Sequence, residues 1–329
     1  MLELIKEFPA QLLTALEIGE KSELKTKFNI PVRNVVVAGL GGSGIGGNLM
    51  SELLREELSV PVIVSKSYFL PAFIDASTLL ILCSYSGNTE ETIACATQAI
   101  EKKIRPVIIT SGGELEKLAV QHQFDLIKIP GGFPPRACLG YSVTQLFFVL
   151  KHVGLINDTF ETKLQKTAIF LKQTQEKIKQ ATKLLAAEIS NKIVIVYAED
   201  KYESVALRLK QQINENSKMQ CWYNVIPEMN HNELVGWRAQ NNSLAVIMLR
   251  SDDEFYRNTQ RTLFSKEIIN KKSDFVFEIY ANGEDTFEKH FFFIHFADWL
   301  SYNLAVEQGY DPSEIEVLNK LKSHMSDVK

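Results

Sequence analysis

Short apolar runs alternate with longer amphipathic stretches along almost the whole chain. Val35–Ala38, Val62–Ser65, Leu79–Cys83, Val107–Thr110 and Leu126–Ile129 are brief and nearly free of polar positions. Continuous apolar runs of this length predict strands covered on both faces, as in a parallel sheet. The intervals read as helices near Ile45–Arg55, Glu90–Lys102 and Glu114–His122. Ahead of them, residues 2–27 read as lead-in helices interrupted by Pro9.

The pattern then starts again. Pro130-Gly131-Gly132-Phe133-Pro134-Pro135-Arg136-Ala137 predicts a stiff loop, followed by a helix from Ala137 to His152. A long polar helix near Asp158–Glu188 leads into a second half. There the strands are Ile193–Tyr197, Gln220–Asn224, Leu244–Leu249 and Phe275–Ile279, with helices near Tyr202–Asn214, Glu254–Asn270 and Thr286–Gln308. A last helix follows Asp311-Pro312 and carries Ile315, Leu318 and Leu321 at helical spacing. The expected fold is α/β, with two doubly wound parallel-sheet domains, 1–153 and 154–329, and a C-terminal helix.

Composition narrows the partners. The 329 residues are 45% apolar and 23% charged, with a net charge of −4. That balance argues against nucleic acid and against an anionic membrane surface. No apolar run reaches membrane-spanning length. Met1-Leu2-Glu3-Leu4-Ile5-Lys6-Glu7 lacks the basic region and apolar core of a signal peptide. Cys83, Cys95, Cys138 and Cys221 are scattered without a CxxC pair, so they read as buried free thiols of a reducing cytoplasm. His290 and His295 are five apart on a helix, and no HExxH or Cys/His cluster occurs, so no metal is expected.

Candidate chemistry concentrates at two strand-to-helix turns. Ser84-Tyr85-Ser86-Gly87-Asn88-Thr89-Glu90-Glu91-Thr92 follows the third strand and opens a helix. Such a turn aims backbone N–H groups and the positive end of the helix dipole at one point, which suits a phosphate. It holds no Lys or Arg, so the donors here are neutral. The earlier turn, Gly39-Leu40-Gly41-Gly42-Ser43-Gly44-Ile45-Gly46-Gly47, follows the first strand, with glycines for close approach and a hydroxyl on Ser43. A single Ser or Thr here would read as a helix cap. Gly42, Ser43, Ser84, Ser86 and Thr89 together, on two turns, read as a phosphate cradle.

Gly39-x-Gly41-x-x-Gly44 also matches a dinucleotide fingerprint. That site needs an acid at the end of the second strand, and the second strand here ends Val64-Ser65-Lys66. A nucleotide cofactor is therefore not expected.

These features, with Pro135-Arg136-Ala137, Asn214-Glu215-Asn216, Pro227-Glu228-Met229-Asn230-His231-Asn232-Glu233 and Leu321-Lys322, make the chain resemble the SIS (sugar isomerase) fold proteins. Within them it is similar over its whole length to the bifunctional phosphoglucose/phosphomannose isomerase family. Cys138 departs from the small residue expected after Arg136-Ala137. The resemblance implies flavodoxin-like αβα domains, no cofactor, and isomerisation of glucose 6-phosphate to fructose 6-phosphate, with mannose 6-phosphate as a further substrate.

Moving a carbonyl between C1 and C2 of a phosphosugar requires a phosphate anchor, a group that opens the ring, a proton-shuttling base and a cation beside the enediolate. The resemblance assigns the base to Glu215, ring opening to His231, the oxyanion cation to Arg136 and substrate oxygens to Lys322. Lys320 stands close enough to compete with Lys322 for that place. It also implies a homodimer whose sites each borrow a histidine from the neighbour. The rival from another class is a non-catalytic sugar-phosphate sensor. Such regulators carry a DNA-binding helix-turn-helix, and none is found here.

Overall fold

A computed structural model describes residues 1–328. The strands are β1 (Asn34–Ala38), β2 (Val62–Ser65), β3 (Thr78–Cys83), β4 (Val107–Thr110), β5 (Asp125–Lys128), β6 (Ile193–Glu199), β7 (Cys221–Ile226), β8 (Leu244–Arg250) and β9 (Val276–Tyr280). The helices are α1 (Leu2–Lys6), α2 (Phe8–Glu20), α3 (Gly41–Leu53), α4 (Glu90–Glu101), α5 (Gly113–His122), α6 (Leu139–His152), α7 (Thr159–Ile189), α8 (Glu203–Ser217), α9 (Tyr256–Asn270), α10 (Thr286–Glu307) and α11 (Glu316–Asp327). The chain forms two units. One comprises residues 6–173 and 283–291, the other residues 1–5, 174–282 and 292–328 of those described.

In the first unit all five strands are parallel, in the order β2-β1-β3-β4-β5. This is the flavodoxin-like order, with a switch point between β1 and β3. Position in the sheet explains the composition of each strand. Central β3 is buried at every residue, whereas edge strand β5, Asp-Leu-Ile-Lys, alternates. A fully buried Val, Leu or Ile side chain contributes about 1.5–3 kcal/mol, so the central strands anchor the unit. Val36, Leu80, Leu82 and Ile108 join Cys95, Ala96 and Ala99 of α4 in one apolar cluster. β5 begins one residue earlier than the apolar run suggests. Asp125 opens it because its carboxylate accepts the N–H groups of Lys25 and Thr26, at 2.8 and 2.6 Å. The lead-in helices likewise stop at Glu20, and residues 21–33 form no helix.

The second unit has four parallel strands in the order β7-β6-β8-β9. Its core gathers Tyr197, Ile226, Met229, Val246, Met248 and Ile269. α8 packs on α10 through polar groups. Asp298 accepts from Arg208 at 2.7 Å and from Gln212 at 2.5 Å, and Asn216 donates to Ser301 at 2.9 Å, all buried. Burial pushes the Asp298 carboxyl up, and Arg208 and Gln212 oppose that shift. The four cysteines are buried and free.

His295 on α10 is fully buried, and its Nε2 accepts from Trp299 Nε1 at 3.1 Å. Burial lowers its pKa from 6.5 to about 3. The unfolded chain therefore takes up a proton near pH 6.5 that the folded chain refuses until about pH 3. The contribution of this histidine is fully present above that range and is lost as pH falls through it, at about 1.4 kcal/mol per pH unit. Urea unfolding at pH 7, 6 and 5 reads the effect. His295→Gln keeps an acceptor for Trp299 but cannot titrate, so its stability declines less steeply with acid than that of the parent. Equal slopes would contradict this account.

Candidate active site

The two turns identified from sequence lie at the carboxyl ends of β1 and β3, on either side of the switch point. Their geometry differs from the expectation in one respect. The run Gly41–Gly47 is not a loop: it is the first two turns of α3, and only Gly39 and Leu40 bridge from β1. The glycines act by close packing. A side-chain carbon on Gly44 would stand 2.4 Å from the Gly39 carbonyl oxygen, so α3 starts closer to β1 than any other residue permits. A carbon on Gly42 would lie 3.3 Å from the Pro135 carbonyl oxygen, which sets the turn carrying Arg136 against the start of α3. At that start, Ser43 N and Gly44 N bond to the Leu40 carbonyl, at 3.0 and 3.2 Å.

The hydroxyls fall into two groups. Ser43 and Ser84 are buried, at 7% and 1% exposure. The Ser43 Oγ accepts the Tyr85 N–H at 3.1 Å, and Ser84 Oγ pairs with Thr89 Oγ1 at 2.8 Å. Burial pushes the neighbouring Cys83 thiol up to about 12, against a hydrogen bond from Ser43. Ser86 is exposed and Thr89 half-buried. Thr89 is the N-cap residue of α4, in an extended conformation, and its side chain makes no capping bond. Ser86 and Thr89 are therefore the more accessible hydroxyls of the set.

Tyr85, between the two groups, went unremarked in the sequence. Its carbonyl accepts from Ser111 N at 2.9 Å and Ser111 Oγ at 2.6 Å. Its hydroxyl accepts from Phe133 N at 3.1 Å. One side chain and its backbone thus tie the turn after β3 to those after β4 and β5. Burial holds the Tyr85 pKa well above the usual phenol range, and a hydrogen bond with the buried Cys138 thiol adds to the shift. That contact is where the departure at Cys138 falls. Arg136 lies in a 3₁₀ turn, Pro135–Ala137, and is 5% exposed. Lys66 entered the sequence reading only as the residue that closes the second strand where an acid would stand. It follows β2 directly, and its Cε lies 3.5 Å from the side-chain position of Gly44. The turns carry no cation of their own, but a lysine stands beside the first turn of α3. The signal was its place at the carboxyl end of the strand adjoining β1.

The second unit holds the other candidates. Glu215 lies two residues before the end of α8 and is half-buried. Lys218 closes that helix in a left-handed conformation, φ 56°, and its Nζ reaches the carbonyls of Glu215 and Asn216 at 3.2 Å. His231 is exposed on a 3₁₀ turn, Glu228–His231, just beyond the carboxyl end of β7. Glu233, read from sequence as a flanking acid, is committed elsewhere. It accepts from Tyr197 Oη at 2.5 Å and Asn224 Nδ2 at 2.7 Å. Trp237 Nε1 donates to the same Tyr197 hydroxyl at 3.0 Å, so this cluster fixes the segment that presents His231. Lys322 is exposed on α11, and Lys320 pairs with Glu316 at 2.5 Å.

Topology separates two of these residues. α8 links parallel β6 to β7, so its end lies near the amino end of β7, while His231 follows the carboxyl end. A six-residue strand lies between them, about 20 Å at roughly 3.3 Å per residue. One unit therefore does not bring Glu215 and His231 to a common point. The carboxyl ends of β6 and β8 also differ from those of β1 and β3. Glu199 there accepts from Phe255 N and Asn258 Nδ2, both at 2.9 Å, and Lys201 bridges Glu199 and Asp253. That end of the second sheet thus carries carboxylates paired within the same unit. Among the described residues, no group of three His, Cys, Asp or Glu side chains is placed to hold a metal ion.

Residues 178–325 match the family model described as the bacterial phospho-glucose isomerase C-terminal SIS domain. The chain is 35% identical to the bifunctional phosphoglucose/phosphomannose isomerase of Caldicellulosiruptor bescii, with all of both chains covered. The chain belongs to this isomerase family. The namesake from Aquifex aeolicus is 33% identical over 90% of this chain and 91% of its own. The fold agrees with a solved structure, the C-terminal domain of glucosamine-fructose-6-phosphate aminotransferase from Francisella tularensis. Its TM-score is 0.75 at 14% identity, covering 96% of this chain and 97% of that one.

The turns of this family member interlock through glycine. Gly87 has φ +68°, and a side-chain carbon on it would stand 1.8 Å from the Gly112 carbonyl oxygen. Gly132 has φ +90° but nothing within 4 Å. Gly87→Ala therefore costs at least about 2 kcal/mol, from left-handed strain plus the clash, while Gly132→Ala carries the strain alone. Thermal unfolding of both variants compares the two, and an equal loss would contradict the interlock.

Proposed function

We propose that this protein interconverts glucose 6-phosphate and fructose 6-phosphate, and mannose 6-phosphate with the same ketose, through an enediol intermediate. The observation that carries this reading is the pair of hydroxyl turns at the first sheet's switch point, in a chain similar from end to end to isomerases of that name. Ser86 and Thr89, with the N–H groups opening α3 and α4, take the phosphate, and Gly42, Ser43 and Ser84 shape that cradle. Glu215 carries the proton between C1 and C2. Arg136 steadies the enediolate oxygen, Lys322 binds substrate oxygens, and His231 opens the sugar ring. The scheme uses side-chain acids, bases and cations only. It assigns the protein to the hexose phosphate step of carbohydrate metabolism, in glycolysis or gluconeogenesis. The buried free thiols favour the cytoplasm, and among the described residues no helix is long and apolar enough to cross a membrane.

Steady-state rates with the purified protein test the activity. Fructose 6-phosphate forms from both aldose phosphates. No turnover of either would leave the sensor reading standing.

The working form is a homodimer with shared sites. Glu215 and His231 flank opposite ends of β7 within a chain, so a site that uses both draws them from two chains. The surface around His231 supports an interface. A groove of about 410 Å³, lined by Leu234, Tyr256, Arg261 and Phe264 among others, adjoins Asn230. Val235, Phe255, Tyr256 and Phe264 are all exposed there, at 79%, 64%, 68% and 59%. A two-fold axis through such a patch creates two equivalent sites. Mixing inactive Glu215→Gln chains with inactive His231→Ala chains, under conditions that exchange subunits, restores one intact site per mixed dimer. Verified exchange without recovered activity would show that each chain builds its own site.

A further inference from the structure

The first unit carries a second cleft, at the amino ends of its strands. It encloses about 560 Å³ between the 25–30 segment, the start of β3 at Thr78, and Lys103-Ile104-Arg105 ahead of β4. That volume suits a small organic ligand. Four cations line it, Lys25, Lys27, Lys103 and Arg105, against one acid, Asp75. The clustering runs against the chain as a whole, where acids outnumber Lys and Arg by 40 to 36.

None of the four cations forms an ion pair with a carboxylate among the described residues. Arg105 donates to the Gln123 carbonyl and lies 5.7 Å above the Phe124 ring, which fixes its guanidinium at the wall. Asp75 is already engaged. Its Oδ1 accepts from Ser77 Oγ at 2.6 Å and Ser77 N at 2.8 Å, and these bonds, with Arg33 nearby, hold its pKa below the usual carboxylate range. The segment bearing Lys25 and Lys27 is pinned by the two N–H bonds to Asp125. Phe28, Ile30 and Ile104 give the cleft an apolar side.

Uncompensated cations in a concave site beside apolar walls select a multiply charged anion with an apolar part. We propose that this cleft binds a small organic polyphosphate of the nucleoside triphosphate class. The site is distinct from the phosphate turns. β3 separates Thr78 from Ser84 by its six residues, about 20 Å.

Calorimetric titration of the full-length protein tests the proposal without reference to turnover, so its failure is separate from failure of the proposed isomerase activity. The probes are ATP, tripolyphosphate and inorganic phosphate. ATP binds more tightly than tripolyphosphate, and inorganic phosphate most weakly. Added fructose 6-phosphate does not displace ATP. Lys27→Glu/Lys103→Glu, two exposed side chains outside the turns, weakens ATP binding about tenfold or more, and circular dichroism checks that it stays folded. Absence of binding at millimolar ATP, displacement by fructose 6-phosphate, or an unchanged affinity in the double variant would each overturn the assignment. An ATP affinity no greater than that of tripolyphosphate would overturn its organic part.

Discussion

The hydrogen bonds of Tyr85 hold together the loops on which the first sheet's chemistry depends. Its N–H meets Ser43, its carbonyl receives Ser111 twice, and its hydroxyl receives Phe133. Each such bond is worth about 1 kcal/mol net, but the cost of leaving any of these buried groups unpaired is larger. The turns after β1, β3, β4 and β5 therefore move as one piece. That rigidity suits the proposed anchor of neutral donors, because a preorganised cradle need not be ordered at the moment of binding.

The two sheets share a topology and diverge in chemistry. Both have largely buried central strands, β1, β3 and β4 in the first and β6 and β8 in the second, flanked by more exposed edge strands. At the carboxyl ends the first sheet offers hydroxyls, glycine and helix N-termini, with Lys66 and Arg136 near α3. The second offers Glu199, Asp253 and Glu254, which are consumed by Lys201, Arg250, Phe255 and Asn258. Neutral donors and cations gather at the first, and paired carboxylates at the second. In the second unit the proposed acid–base groups, Glu215 and His231, stand at the end of α8 and beyond β7.

All nine strands were legible in the sequence: burial on both faces makes the central ones continuous apolar runs, while the edge strands β5, β7 and β9 carry polar positions and are more exposed. The errors are local and physical. The glycine-rich run looked like a loop, yet its glycines serve helix packing against β1 and its neighbours, a demand that composition alone does not reveal. Asp125 was left outside its strand because a carboxylate that clamps a distant segment looks like loop in sequence. The hydroxyls were singled out by their place on two strand-to-helix turns. Tyr85 and Lys66 were not, since their roles depend on strand neighbours far apart in the chain. The separation of Glu215 from His231 is likewise a property of the parallel crossover, invisible in a motif.

The central claim is that the phosphate of a hexose phosphate sits on the turns after β1 and β3. A crystal structure with arabinonate 5-phosphate, a stable mimic of the enediolate, tests it most directly. The account predicts the phosphate within hydrogen-bond distance of Ser86 and Thr89, at the start of α4. A phosphate bound at the carboxyl ends of β6 and β8, with the first sheet's turns empty, would contradict it.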